Sequence, residues 1–266
     1  MKKTTLALSA FALLSAASQA AITTIAATGW SSDIVINNGG GPYNTTVNGT
    51  MDNGPGGFDN WTFAEEGTYP VGGDNTPTFV SGLTTGTHTS ATGSQFVFQS
   101  FDSDNALLLP GSASGLLTLA AGGSYSTLAL FGSTSGGPTS ASVTVMFSDL
   151  TSSVYTIANQ TGIGRDWFNY TPAELGYAVG ARLSNRGEDG YTNVHYQENS
   201  NISIHESLIT LSAADQAKTI TAISITNTGG GNLAVMALSG QAVPEPSSIC
   251  LLGVFGLLGM VRRKRG

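Results

Sequence analysis

The chain has 266 residues, only 10% of them charged against about 25% in ordinary globular proteins, with 35 glycines and one cysteine. Six of the ten basic residues lie at the two ends, which leaves Arg165, Arg182, Arg186 and Lys218 against sixteen acids between residues 21 and 243. That surplus of negative charge argues against a nucleic-acid partner, which needs concentrated positive charge, and the lone Cys250 leaves no intramolecular disulfide to form.

At the start, Lys2 and Lys3 precede an apolar segment over residues 6–17, and Ser18-Gln19-Ala20 offers the small residues that signal peptidase reads. Residues 1–20 are therefore expected to be a signal peptide, with the mature chain beginning near Ala21. Residues 21–93 are rich in Gly, Asn, Thr and Pro, and their glycine clusters predict turns and irregular loops, with short strands packed on a neighbouring domain. The aromatic residues in this section, Trp61 among them, either pack a loop against a sheet or offer a platform to a sugar ring.

From residue 94 to 241 the pattern sharpens. Phe96 and Phe98 alternate with polar or smaller neighbours, as do Val143, Val145 and Phe147, and apolar stretches recur at residues 116–119 and 125–131. Further runs fall at residues 177–183, 202–211, 219–226 and 233–238. Period-two runs rich in β-branched and aromatic residues, bounded by Gly, Ser and Pro, predict strands. Only residues 212–218 read as helix, with Ser212 as N-cap and Asp215 three residues on. Short strands with almost no helix predict an all-β, antiparallel β-sandwich, and a jelly roll is the preferred form.

Few constellations carry chemistry. Asp102, Asp104 and Asn105 put oxygen ligands on a turn before a strand, which suits a hard cation such as a structural calcium ion, or else makes a solvated turn. Asp52, Asp59 and Asp74 are candidates to supplement that set. Trp167 beside Asp166, with Arg182 and Arg186, either pins a loop to the sandwich or holds a sugar by stacking and charged hydrogen bonds. Trp61, Trp167 and Arg182 are thus the candidate carbohydrate contacts. His205 and Glu206 are adjacent in a predicted strand and should point to opposite faces, which works against a shared acid-base or metal role. There is no zinc-protease helix, no nucleophile elbow and no phosphate loop, so no catalytic residues are assigned and the protein is expected not to be an enzyme.

The C-terminal stretch over residues 243–266 is organised differently. Pro244-Glu245-Pro246 is followed by an uncharged run over residues 249–261, then by Arg262, Arg263, Lys264 and Arg265. Prolines favour an extended segment, and a helix over residues 247–261 would reach roughly 22 Å at ~1.5 Å per residue, a short membrane span that snorkelling arginines can accommodate. The basic residues form a stop-transfer tail on the cytoplasmic side. In order and position these three parts resemble the PEP-CTERM sorting signal of Gram-negative bacteria. The resemblance implies a temporary inner-membrane anchor, recognition by exosortase and release towards the cell surface or extracellular matrix.

A second resemblance covers residues 95–241. Asn105 to Leu109, Gly123 to Leu128, Asp166-Trp167-Phe168 and Gly180-Ala181-Arg182 look like landmarks of galactose-binding-like jelly rolls in secreted bacterial proteins. It implies an eight-stranded sandwich whose relatives often bind carbohydrate and sometimes hold calcium. The function expected from these readings is an exported surface or matrix protein associated with exopolysaccharide or biofilm. The alternatives are a dedicated carbohydrate-binding module and a secreted glycan hydrolase.

Overall fold

A computed structural model describes residues 20–37, 47–52, 61–71, 76–184 and 195–244. Eight strands, numbered here in chain order, make two facing sheets: β1 (Ile22–Thr24), β2 (Ser114–Gly123), β3 (Tyr125–Ser135), β4 (Ala141–Phe147), β5 (Ser152–Ile157), β6 (Ser203–Thr210), β7 (Ile220–Asn227) and β8 (Asn232–Ala242). The first sheet runs β1-β8-β3-β6 and is extended by Leu175–Ala178 beside β6 and Leu107–Leu109 beside β8. The second runs β5-β4-β7-β2 and is extended by Ala27–Thr28. The antiparallel pairs β1·β8, β2·β7, β3·β6 and β4·β5 are nested one inside the next, so the chain returns along its own path.

The alternation read from the sequence has a direct cause. Val143, Val145 and Phe147 of β4 face inward, where they meet Leu128 and Leu130 of β3 and Leu233, Val235 and Leu238 of β8 in one buried core. The intervening Ser142, Thr144 and Met146 lie on the outer face, because successive strand residues point to opposite sides. The helix Ala213–Gln216 is capped as expected: the Ser212 side chain accepts the Asp215 N–H.

The first sheet is also buried on its other side. Ala129 and Phe131 of β3, Ile204 of β6 and Met236 of β8 belong to a second core with Phe63, Phe96, Phe98, Phe101 and Trp167. Rings stack there at 4.0 Å between Phe96 and Phe131 and meet edge to face at 5.2 Å between Phe96 and Phe98. Burial on both faces explains why β8 reads as a continuous apolar run rather than an alternation. A bulge between Phe131 and Gly132 of β3 sets the extra residue Met236 beside Ala237, so that two successive side chains enter the second core. Gly132 is required at this bulge, because a Cβ there would lie 2.0 Å from the Ala234 carbonyl oxygen.

Beyond the second core stands a smaller sheet of four strands, in the order His195–Glu198, Ala181–Ser184, Trp61–Ala64 and Val35–Ile36. Its far face packs Ile36, Ala64, Ala181 and Leu183 against Tyr69 and Val80 of the hairpin Gly67–Val71/Thr76–Val80.

Several sequence expectations need adjustment. Residues 177–183, read as one strand, are two strands in different sheets, broken at Gly180, whose φ is +84°. The sequence does not predict strand β5, since Ser152-Ser153-Val154-Tyr155 carries only a weak apolar signal. The section over residues 21–93 contributes β1 and Ala27–Thr28 to the two main sheets, so its first residues are part of the sandwich itself. Among the described residues no helix is long and apolar enough to cross a membrane. The expected signal segment up to residue 19, and the helix over residues 247–261, lie outside the described residues.

Candidate functional site

The small sheet brings the sequence-predicted Trp61, Trp167 and Arg182 together. Ser184 pairs with Trp61 across the antiparallel ladder, so Arg182, two residues earlier, shares a face with Trp61 and Phe63. The Arg182 guanidinium carbon lies 4.4 Å from the Trp61 ring centre, 4.1 Å from Phe168 and 5.3 Å from Trp167. Its Nη1 donates to Asp52 Oδ2 at 2.7 Å and its Nε to Gln197 Oε1 at 2.7 Å. A planar, delocalised cation can stack on rings and donate in its own plane at once, which lysine cannot.

Trp167 is 1% exposed. Its ring meets Phe63 edge to face at 5.1 Å and Phe168 at 5.5 Å, and its backbone N–H and carbonyl bond to Thr134 and Ser203. The indole therefore ties the 165–168 turn to the first sheet and has no open face for a sugar ring. Trp61 is half-buried at the edge of this cluster. Asp166 spends its carboxylate on the Gly137 and Phe168 N–H groups, and the carboxylate that pairs with Arg182 is Asp52, 130 residues earlier. Nothing local in the sequence marked Asp52 or Gln197 as partners. Arg186 lies outside the described residues.

Asp102 and Asn105 meet the segment over residues 33–37, and Asp104 meets Asn48, through side-chain amides. Asn105 is buried; its Oδ1 accepts the Ile34 N–H at 3.0 Å and its Nδ2 donates to Asp33 Oδ1 at 2.6 Å. Asn37 Nδ2 donates to Asp102 Oδ1 at 2.6 Å, and Asn48 Nδ2 to Asp104 Oδ1 at 3.1 Å. Burial pushes the Asp33 carboxyl up, against the Asn105 and Val35 hydrogen bonds, and the nearby Asp104 and Asp102 charges add to the rise. Among the described residues no group of three or more His, Cys, Asp or Glu is gathered to hold a metal ion. Asp59 and Asp74 lie outside the described residues.

His205 and Glu206 point to opposite sides of β6. His205 is buried near Arg165, Glu174 and the Asp166 backbone, whereas Glu206 accepts the Thr92 hydroxyl on the other face at 2.6 Å.

Both ends of the described chain leave the sandwich together. Ile22 pairs with Gln241, whose Nε2 donates to the Ala20 carbonyl at 2.7 Å. Val243 donates its N–H to Ser124 at 3.0 Å, and Pro244, exposed, is the next residue. Glu245, Pro246 and the basic tail Arg262, Arg263, Lys264 and Arg265 lie outside the described residues.

Fold and ends together define an all-β, antiparallel sandwich with an address fused directly to its last strand. A family profile described as PEP-CTERM protein-sorting motif matches residues 242–265, and the chain carries that motif. The motif implies recognition by exosortase and export with a transient membrane anchor. No curated protein matches the chain. Among solved structures it is similar to the N-terminal domain of the single-strand break repair protein XRCC1, at 12% identity over 51% of this chain and 76% of that one, with a TM-score of 0.26. It is also similar to the glycoside hydrolase domain of Endo-D from Streptococcus pneumoniae R6, at 13% identity over 62% of this chain and 22% of that one, with a TM-score of 0.22. Neither likeness is strong enough to carry an argument.

Proposed function

We propose that this is a non-enzymatic protein of the bacterial cell surface or extracellular matrix, released from its anchor by exosortase and associated there with exopolysaccharide. The observation that carries the reading is the sorting motif over residues 242–265, which begins where β8 ends. We read the sandwich as a jelly roll, on the support of its four nested antiparallel pairs, which roll one long hairpin into two sheets.

A neutral polymer as partner is supported by the outer face of the second sheet. There Leu116, Ser224, Thr144 and Val154 lie in one row across four strands, with Ser114, Thr226, Ser142 and Thr156 in the next. Neither row holds a charge, although the body of the chain is strongly acidic. A flat face of hydroxyls and methyls offers hydrogen bonds and apolar contact to a sugar chain without the cost of desolvating an ion.

The test is the location and intact mass of the protein in its native cells. A species ending near Pro244 and found outside the membrane is expected, and the double variant Pro244→Ala, Pro246→Ala should remain at full length in the inner membrane. Unchanged release of the double variant would overturn the sorting step, and released protein that fails to sediment with isolated exopolysaccharide would overturn the association.

A further inference from the structure

A cleft of about 520 Å³ opens on the side of the sandwich, away from the Arg182 cluster. It exists because two strands lose their neighbours there. β5 is the last strand of its sheet, and the Leu175–Ala178 strand beside β6 stops pairing at His205, which leaves residues 206–210 at an open edge. The walls are Tyr155, Thr156 and Ile157 on one side and residues 206–210 on the other, closed at one end by Gly162 and Glu174. Gly162 is pressed against this wall at φ +46°, where a Cβ would come within 2.0 Å of Ser207 Oγ.

Glu206 is the group that the fold leaves unsatisfied. The residue is 3% exposed; its Oε2 accepts the Thr92 hydroxyl, while its Oε1 is buried with no hydrogen-bond partner among the described residues. An orphaned buried acceptor is destabilising, more so when charged, and calls for a donor that the chain itself does not supply. Glu174 does not share this need: its Oε2 takes the Gly162 N–H at 3.0 Å and the Arg165 Nε. Burial works against its charge, but these two donors and the Arg165 charge hold the Glu174 carboxyl below its usual range.

We propose that this cleft binds a neutral glycosyl residue, with the Glu206 side chain turning from its buried position so that a sugar hydroxyl donates to Oε1. The Ser207 and Thr210 hydroxyls offer further polar contacts, and the exposed Leu208 offers the apolar surface that the C–H face of a pyranose seeks. The volume lies within the ~300–1,000 Å³ of small-molecule sites and is larger than a bare ion needs. The proposal rests on the exopolysaccharide reading above and gives it a site.

The experiment is saturation-transfer NMR on the full chain in a zwitterionic, sugar-free detergent, with the methyl glycosides of glucose, galactose, mannose and N-acetylglucosamine as probes. At least one glycoside should receive saturation from the wild-type protein. The signal should fall about tenfold or more in Glu206→Gln, which turns the orphan acceptor into a donor, and in Ala173→Trp, which blocks the exposed rim without touching Glu206. Melting temperatures close to wild type establish that both variants fold; where Glu206→Gln does not, Ala173→Trp decides. Absence of transfer to all four glycosides, as when an ordered water satisfies Glu206, or transfer unchanged by a folded variant, would overturn the site. Sedimentation with isolated exopolysaccharide tests the parent reading separately: sedimentation without glycoside transfer removes the cleft alone.

Discussion

His205 shows how one side chain couples the fold to pH. It is fully buried, and burial lowers its pKa from 6.5 to about 4; the Arg165 charge acts in the same direction, against the Asp166 backbone and the Glu174 and Asp166 carboxylates. Between those two values the unfolded chain binds a proton that the folded chain refuses, so stability rises with pH across the window. The contribution is fully present above pH 6.5 and is lost as pH falls to about 4. At ~1.36 kcal/mol per unit, about 3 kcal/mol should disappear over that range. Urea unfolding of the wild type at a series of pH values should show this slope, and His205→Gln should flatten it; an equal slope in both proteins would place the effect in the carboxylates instead.

At the scale of elements, the small sheet and the 165–168 turn are held to the first sheet by a cationic and aromatic cluster. Trp167 touches Phe63, Phe168 and Arg182, and its backbone bridges Thr134 and Ser203. Truncating a buried aromatic of this kind costs about 3–5 kcal/mol, because the surrounding rings cannot close the space. Trp167→Ala should therefore lower the urea midpoint steeply, whereas a shift below about 1 kcal/mol would mean that the turn is held by its backbone bonds alone. The sequence made this cluster partly legible. Trp61, Trp167 and Arg182 stood out as large or charged residues in a chain poor in both, but the pairing of Arg182 with Asp52 spans 130 residues and leaves no local trace. The same limit applies to the Asn105–Asp33 contact, in which Asn105, read as a candidate ion ligand, has its side-chain amide engaged by Ile34 and Asp33.

At the scale of the whole molecule, the glycine-rich section covers one face of a sheet that would otherwise be exposed. Val35, Phe63 and Leu83 from this section sit in the same core as Ala129, Phe131, Ile204 and Met236 of the first sheet. Deleting residues 33–93 would leave all eight sandwich strands in the chain and uncover the part of that apolar face that Val35, Phe63 and Leu83 cover. The shortened protein should bind a hydrophobic dye strongly and aggregate with concentration, since apolar patches beyond a few hundred Å² rarely stay solvated. A soluble monomer that binds no dye would show that the section is an appendage and not a layer of the fold.

What the sequence determined by itself was local or linear. Alternation of apolar and polar residues marks strands because side chains alternate across a sheet, and the order of Pro-Glu-Pro, apolar run and basic tail marks an address because it is read along the chain. What only the tertiary structure decided depends on where the chain returns. The nesting of strands, the double burial of β8, the Asp52–Arg182 pair and the orphaned Glu206 oxygen each arise from segments far apart in sequence. Their partners are chosen by packing and by strand register, which no short stretch of sequence encodes.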